Sequence, residues 1–200
     1  IYASAVNEPD GVIDVHMIRA DTAMKARFRR YVHDSPLIRL EGFDPDTTPY
    51  PPAPEGTPPP DGLSMDAEYA FYPAETDCIR LTIRYRGDST VYFGTDYTVC
   101  RFQNGRWETL PGADAWDSLL IGIGRPQFPV PGDARQTKEY AYGFTARLAP
   151  RIYPSVYARY RICKNVYMEN PRRDYLLTAD FTVTPFVPFT RFPEQTGDNN

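Results

Sequence analysis

From Leu63 onward the chain alternates apolar and polar residues with a period of two, broken by short polar or glycine-bearing stretches. Leu63-Ser64-Met65-Asp66-Ala67-Glu68-Tyr69 begins the rhythm, and Phe71 to Thr76 reads as a turn. Within Cys78 to Tyr85, Ile79, Leu81, Ile83 and Tyr85 share one face, and Cys78, Arg80, Thr82 and Arg84 share the other. Successive strand side chains point to opposite faces, so the apolar set faces the core and Cys78 points away from it. After a break at Gly87-Asp88-Ser89, Tyr97-Thr98-Val99 and Arg106-Trp107-Glu108 flank Asn104-Gly105, a strong two-residue hairpin signal. Trp107 is expected in the core, as the large internal side chain a sandwich needs. An irregular stretch with Trp116 and Leu119-Leu120-Ile121 follows, then a turn over Phe128 to Asp133. Lys138 to Leu148, Tyr157 to Tyr167 and Tyr175 to Val183 read as further strands. Seven or so short strands at this spacing predict an all-β, antiparallel β-sandwich.

The N-terminal segment follows another pattern. Val12 to Ile18 suits a short strand, and Asp21 to Val32 a helix capped by Asp21, with Met24, Phe28, Tyr31 and Val32 on one face. Lys25, Arg27, Arg29 and Arg30 form the other face, which reads as a solvated surface ahead of a docking site for an anionic partner. Between residues 45 and 60 lie Pro45, Pro49, Pro51, Pro52, Pro54, Pro58, Pro59 and Pro60. Such a run favours extended polyproline II, cannot join a sheet interior, and is expected to act as a stiff spacer. The expected organisation is an N-terminal extension and linker over 1–62, a sandwich over 63–185 and a tail over 186–200.

Composition narrows the function classes. Of 200 residues, 42% are hydrophobic and 24% charged, which suits a globular chain. A net charge of -4 argues against a general nucleic-acid binder. No apolar run approaches the roughly 20 residues that span a bilayer. No secretory leader is visible, but the sequence starts at Ile1 without a methionine, which fits a leader removed earlier. Three cysteines cannot all pair internally, and none are spaced C-x-x-C.

The stretch from Leu63 to about Val183 resembles the bacterial immunoglobulin-like domains of cell-envelope lipoproteins from Gram-positive bacteria and Bacteroidetes. The resemblance rests on Tyr72-Pro73-Ala74, Leu81-Thr82-Ile83, Phe93-Gly94-x-x-Tyr97 and Asn104-Gly105-Arg106-Trp107-x-x-Leu110-Pro111. It continues through Pro131-Gly132, Tyr160-Arg161-Ile162-Cys163-Lys164 and Leu177 to Val183. One departure lies before Tyr160. The family tends to have Leu-x-Pro-Gly-x-Tyr-Arg-Ile there, whereas this chain has Leu148-Ala149-Pro150-Arg151 and a longer connection without the glycine. The resemblance implies an immunoglobulin-like sandwich, an exported location and no catalytic residues. Tyr160 precedes inward-facing Ile162 by two, like the Tyr of an antibody tyrosine corner before its cysteine, but Cys163 falls on the opposite face. The antibody-type core disulfide is therefore absent. Cys100 and Cys163 both point outward on this register, which leaves open a bridge between them or a pair of free, partly covered thiols.

Candidate chemistry is sparse. His16 and His33 have no histidine partner at metal-binding spacing. Ser35, His33 and Asp34 are too close in sequence to converge as a triad. Asp66, Glu68 and Glu75 fit solvated acids that block edge pairing better than a glycosidase pair. Gly122-Ile123-Gly124 lacks a dinucleotide-loop context, and Asp114-Ala115-Trp116-Asp117 lacks calcium-loop spacing. No catalytic, cofactor or metal residues are expected. Trp116 beside Asp114 and Asp117, with Tyr153 and Tyr157 in the loop before Tyr160, forms the candidate binding surface. Trp116 is open to a sugar, to a partner, or to burial over the end of the sandwich.

The expected function is a non-catalytic binding or structural module of an exported envelope protein, periplasmic or at the cell surface. Its partner is an unknown envelope protein or glycan, with no nucleic acid, and its membrane attachment is through a lipid anchor outside this sequence. A carbohydrate-binding module and a pilus or adhesin subunit are the alternatives.

Overall fold

The period-two pattern folds into two facing sheets, preceded by a smaller β-α-β unit. The computed structural model describes residues 3–7, 11–74, 76–112, 119–124, 139–148, 157–169 and 172–184. In chain order the elements are β1 (Ala3–Asn7), β2 (Val12–Arg19), α1 (Thr22–Tyr31), β3 (Ile38–Phe43), β4 (Leu63–Ala67), β5 (Phe71–Pro73) and β6 (Cys78–Arg86). They continue as β7 (Thr90–Phe93), β8 (Thr98–Gln103), β9 (Arg106–Thr109), β10 (Ile121–Gly124), β11 (Glu139–Arg147), β12 (Ala158–Met168) and β13 (Arg173–Thr184).

The smaller sheet of the sandwich runs β11-β6-β4. The larger runs β10-β7-β12-β13-β5, with β8 also on β12 and β9 on β8. Pairing within both is antiparallel except for β5, which lies parallel to β13. This is an immunoglobulin-like all-β sandwich. Ile79, Leu81, Ile83 and Tyr85 are all buried, as their alternation requires, against Ile162, Leu177, Phe181 and Val183 of the other sheet. Asn104 at φ 54° and Gly105 at φ 79° form the β8–β9 turn, both in the left-handed region that the hairpin demands.

The centre of the larger sheet is β12, which pairs with β13 along its whole length. Its other side is shared: Tyr160 to Cys163 face β8, and Tyr167 and Met168 face β7. Tyr92 to Thr98 spans six residue steps opposite four on β12, from Tyr167 to Cys163. β7 and β8 are thus two halves of one strand, separated by a bulge over residues 94–97 that carries two extra residues.

Three local expectations are corrected. Phe71 to Pro73 form a short edge strand rather than a turn, with Tyr72 buried edge-on against Phe181 at 5.6 Å. Ile121, read as part of an irregular stretch, opens a strand that runs to Gly124 and pairs with β7. In α1, Phe28 is buried with Val15, Met17 and Ala20, but Tyr31 and Val32 are 69% and 63% exposed. The small cluster beneath the helix ends at Phe28, so the last turn projects past it. Asp21 caps the helix as expected, its Oδ1 accepting from the Met24 amide at 2.8 Å. On the polar face, Lys25 pairs with Asp44 at 3.0 Å while Arg27, Arg29 and Arg30 are exposed.

The proline-rich segment is laid against the sandwich. The Thr109 amide donates to the Pro51 carbonyl at 2.7 Å, the Ala53 amide to Trp107 at 3.1 Å, and the Leu176 amide to Thr57 at 2.9 Å. Residues 51–53 therefore serve as an extra antiparallel edge on β9. Pro52 has no amide hydrogen to offer a further strand, so the edge is closed to pairing at that residue.

Tyr72 supplies a pH test. Its buried phenol accepts from the Tyr69 amide at 3.1 Å, and burial pushes its pKa from 10.0 up to about 12. Between these values the folded protein keeps a proton that the unfolded chain has lost. The contribution is whole below pH 10 and is lost as pH rises toward 12. Urea denaturation between pH 10 and 12 is expected to show a fall in stability whose slope, relative to Tyr72→Phe, is steeper by about 1.4 kcal/mol per pH unit. Identical slopes would show that Tyr72 does not ionise on unfolding as its burial requires.

Candidate functional site

Two clusters on β12 stand out, one on each face. On the inner face, the register Tyr160, Ile162, Lys164, Val166 places a lysine in line with core residues. Lys164 is 2% exposed. Its ammonium donates to the carbonyls of Gly94 at 2.8 Å and Asp96 at 2.6 Å, and lies 5.5 Å and 5.1 Å from the ring centres of Phe93 and Phe144. The bulge turns these two carbonyls away from the ladder, and the ammonium satisfies both. Burial lowers the Lys164 pKa, and the negative charge of Asp96 opposes that shift. Beside it, the Tyr97 hydroxyl accepts from the Arg147 amide at 2.7 Å and donates to its carbonyl at 3.2 Å, tying the bulge to β11 of the opposite sheet. The ammonium is committed to backbone oxygens, so this cluster is built to hold structure rather than to attack a substrate.

The outer face carries a band of aromatic and cationic side chains. Tyr92 and Tyr167 stack at 5.3 Å, with the Arg172 guanidinium 4.7 Å from the Tyr167 ring. Across the sheet, Phe102 and Trp107 meet edge-on at 5.2 Å. Arg161 lies 4.2 Å from the Trp107 ring centre, and Arg159 within 5.6 Å of both the Trp107 and Phe102 centres. Arg161 is oriented by Asp180, to which Nε and Nη2 donate at 2.6 and 2.9 Å, and this pairing raises its pKa. Between the two aromatic groups sit Cys100 and Cys163, both buried.

Trp107 is therefore not a core residue. It pairs with Phe102 on the face that also carries Cys100, and it is half-buried. The neighbouring inward position belongs to Glu108, buried and paired with Arg106 at 3.1 Å and Arg101 at 3.7 Å. Of the candidate surface residues, Trp116, Asp114, Asp117 and Tyr153 lie outside the described residues. Tyr157 is 58% exposed and leads into β12 two residues before Arg159. Lys164 was legible in principle: the register that placed Ile162 inward also places Lys164 inward. The outer aromatic pairs were not, because they depend on which strands neighbour β12.

A cleft of about 290 Å³ between β4 and β13 is lined by Met65, Asp66, Ala67, Arg161, Thr178 and Asp180. Its one cation is already held by Asp180, and its volume is at the small end for ligand sites. Among the described residues no three His, Cys, Asp or Glu side chains converge as metal ligands, and no helix is long and apolar enough to cross a membrane.

Residues 59–127 match the family model described as a bacterial Ig-like domain. The match spans β4 to β10, so β11, β12 and β13, which complete the sandwich, lie beyond it. Over these residues the chain is similar to bacterial Ig-like domains, in keeping with the Ig-like sandwich that the strands form. No curated protein sequence matches the chain. Among solved structures, the crystal structure of the periplasmic chaperone SfaE matches at 12% identity and a TM-score of 0.31, over 67% of this chain and 61% of that one.

The Lys164 cluster makes a direct stability prediction. Lys164→Met keeps an unbranched stem beside Phe93 and Phe144 but leaves two buried carbonyls without donors. It is expected to lower unfolding free energy by about 2–5 kcal/mol in urea titration. A change below about 0.5 kcal/mol, the range of ordinary surface substitutions, would mean that the bulge carbonyls find other donors.

Proposed function

We propose that the chain is a non-catalytic Ig-like binding module of an exported bacterial envelope protein, docking a protein partner through the outer face of its larger sheet. The observation that carries this reading is the band formed by Tyr92, Tyr167, Phe102, Trp107, Arg159 and Arg161. Aromatic residues and arginine are enriched where protein interfaces concentrate their energy. The outer face of the opposite sheet differs: Arg84 and Arg86 there pair with Glu139 at 3.3 and 3.0 Å, an ordinary solvated arrangement.

The rim of the band supports an acidic protein as the partner. Arg159 and Arg172 are exposed around it, within 3.6 Å of Asp180 and 3.7 Å of Asp174, and their positive charge complements an acidic protein surface and favours fast association. Exposed Tyr157 precedes Arg159 of the band by two residues, and Trp116, Asp114, Asp117 and Tyr153 are proposed to contribute to the same binding surface. Placement on an exported protein is in keeping with the bacterial Ig-like domains that residues 59–127 match, and attachment through a lipid anchor is part of the proposal. Tyr92 and Tyr167 also suit a glycan reading, since stacked rings can present a flat surface to a sugar. At Trp107 that reading is less apt, because Arg161 already occupies the ring.

The test places a photocrosslinking residue at Tyr92 or Tyr157 of the envelope protein in its native cells. Crosslinks are expected to one acidic envelope protein, and Trp107→Ala combined with Arg159→Ala is expected to weaken its binding at least tenfold. Affinity electrophoresis in polysaccharide gels is expected to show no retardation. Retardation that Tyr167→Ala abolishes, or crosslinks indifferent to the Trp107 and Arg159 changes, would contradict this reading.

A further inference from the structure

Cys100 and Cys163 lie in the middle of the outer face, and the docking reading makes no use of them. Cys100 on β8 stands opposite Arg161, and Cys163 on β12 stands opposite Thr98, so the two are diagonal neighbours on adjacent strands. Both side chains project from the face away from the core, and their sulfurs are 3.9 Å apart. They are 0% and 2% exposed. The Thr109 hydroxyl lies 3.8 Å from the Cys100 sulfur. Cys78 sits apart, exposed at the start of β6 and opposite Arg147 on the other sheet.

We infer that Cys100 and Cys163 form a disulfide when the chain folds in an oxidising compartment, joining β8 to β12 on the outer face. The strands are already paired, and the sulfurs must approach from 3.9 Å to about 2 Å, which for a diagonal pair takes rotation of both side chains and a small closing shift of the two strands. The antibody bridge joins two sheets through the core; this one joins two neighbouring strands within a sheet, outside the core.

The oxidant is a disulfide, either a small-molecule disulfide or an oxidised dithiol protein. The Cys100 thiolate attacks one sulfur of that disulfide, forming a mixed disulfide and releasing one thiol. Cys163 then loses its proton and attacks the Cys100 sulfur, releasing the second thiol. Two protein thiols give up two electrons and two protons, and the oxidant's disulfide becomes two thiols. The order follows from the surroundings. A hydrogen bond with Cys163, then one with Thr109, and the charge of Arg161 lower the Cys100 thiol, whereas the Cys163 thiol is raised by its bond with Cys100 and by burial.

The full chain, reduced and unfolded in guanidinium chloride, is refolded in a buffer of reduced and oxidised glutathione, where every thiol is accessible at the start. Folding is followed by circular dichroism. Thiols are counted after denaturing alkylation, and linked peptides are mapped by mass spectrometry. The free thiols are expected to fall from three to one, at Cys78, with a peptide linking Cys100 to Cys163. The oxidised protein is expected to melt roughly 5–15 °C above the reduced one. Cys100→Ser removes the bridge and the shift, and Cys78→Ser leaves both. Slow dialysis of the native protein against the same buffer gives the same bridge through local opening of the face. A folded chain that keeps three free thiols, carries glutathione at Cys100 or Cys163, or links through Cys78 would overturn the inference. Its failure would leave the docking reading intact, because the bridge needs no partner.

Discussion

The larger sheet depends on one buried ammonium. β12 is longer than either strand that faces it on the β8 side, so that side is filled by two half-strands and a bulge between them. A bulge inside a sandwich turns backbone carbonyls toward the core, and each such group left unpaired costs about 1–3 kcal/mol. Lys164 reaches two of them with one side chain, its stem packed between Phe93 and Phe144. An apolar residue at 164 would fill the volume and leave the carbonyls orphaned, so here a charge in the core is the cheaper solution.

This arrangement divides the two faces of β12 between different tasks. Inward, Tyr160, Ile162 and Val166 bury fully, and Tyr160 stacks on Phe181 at 5.7 Å. Outward, Arg159, Arg161, Cys163 and Tyr167 alternate with them and meet the aromatics of β7, β8 and β9. By splitting its partner strand, the bulge lets one half deliver Tyr92 to Tyr167 and the other deliver Phe102 and Trp107 to Arg159 and Arg161. The band of aromatic and arginine side chains therefore rests on the interior cluster behind it. The proline-rich segment closes the β9 edge at Pro52.

Much of the sandwich was legible because burial enforces a period of two. Ile79, Leu81, Ile83 and Tyr85 fall where alternation puts them, and Asn104-Gly105 turns the hairpin that its φ preferences demand. The Asp21 cap was equally plain, since capping is local. What sequence could not show was neighbourhood. Phe93-Gly94-x-x-Tyr97 and Tyr160-Arg161-Ile162-Cys163-Lys164 look like separate signatures, yet the lysine of the second closes the bulge of the first. Trp107 misled for a related reason: its size suggested the core, but its face was set by pairing with Phe102. β5 was too short to show alternation, and its parallel pairing with β13 is a tertiary event. Of the candidate surface, Tyr157 proved exposed, while Trp116, Asp114, Asp117 and Tyr153 lie outside the described residues.

The central claim is that Lys164 is a charged, buried clamp on the Gly94 and Asp96 carbonyls. Nitrogen-15 NMR of the lysine side chains observes that ammonium directly. The account predicts, at neutral pH, one slowly exchanging ammonium with contacts to the rings of Phe93 and Phe144, titrating below the ordinary lysine value of 10.5. A Lys164 ammonium that exchanges as fast as that of half-buried Lys25, shows no ring contacts and titrates at the ordinary value would contradict it.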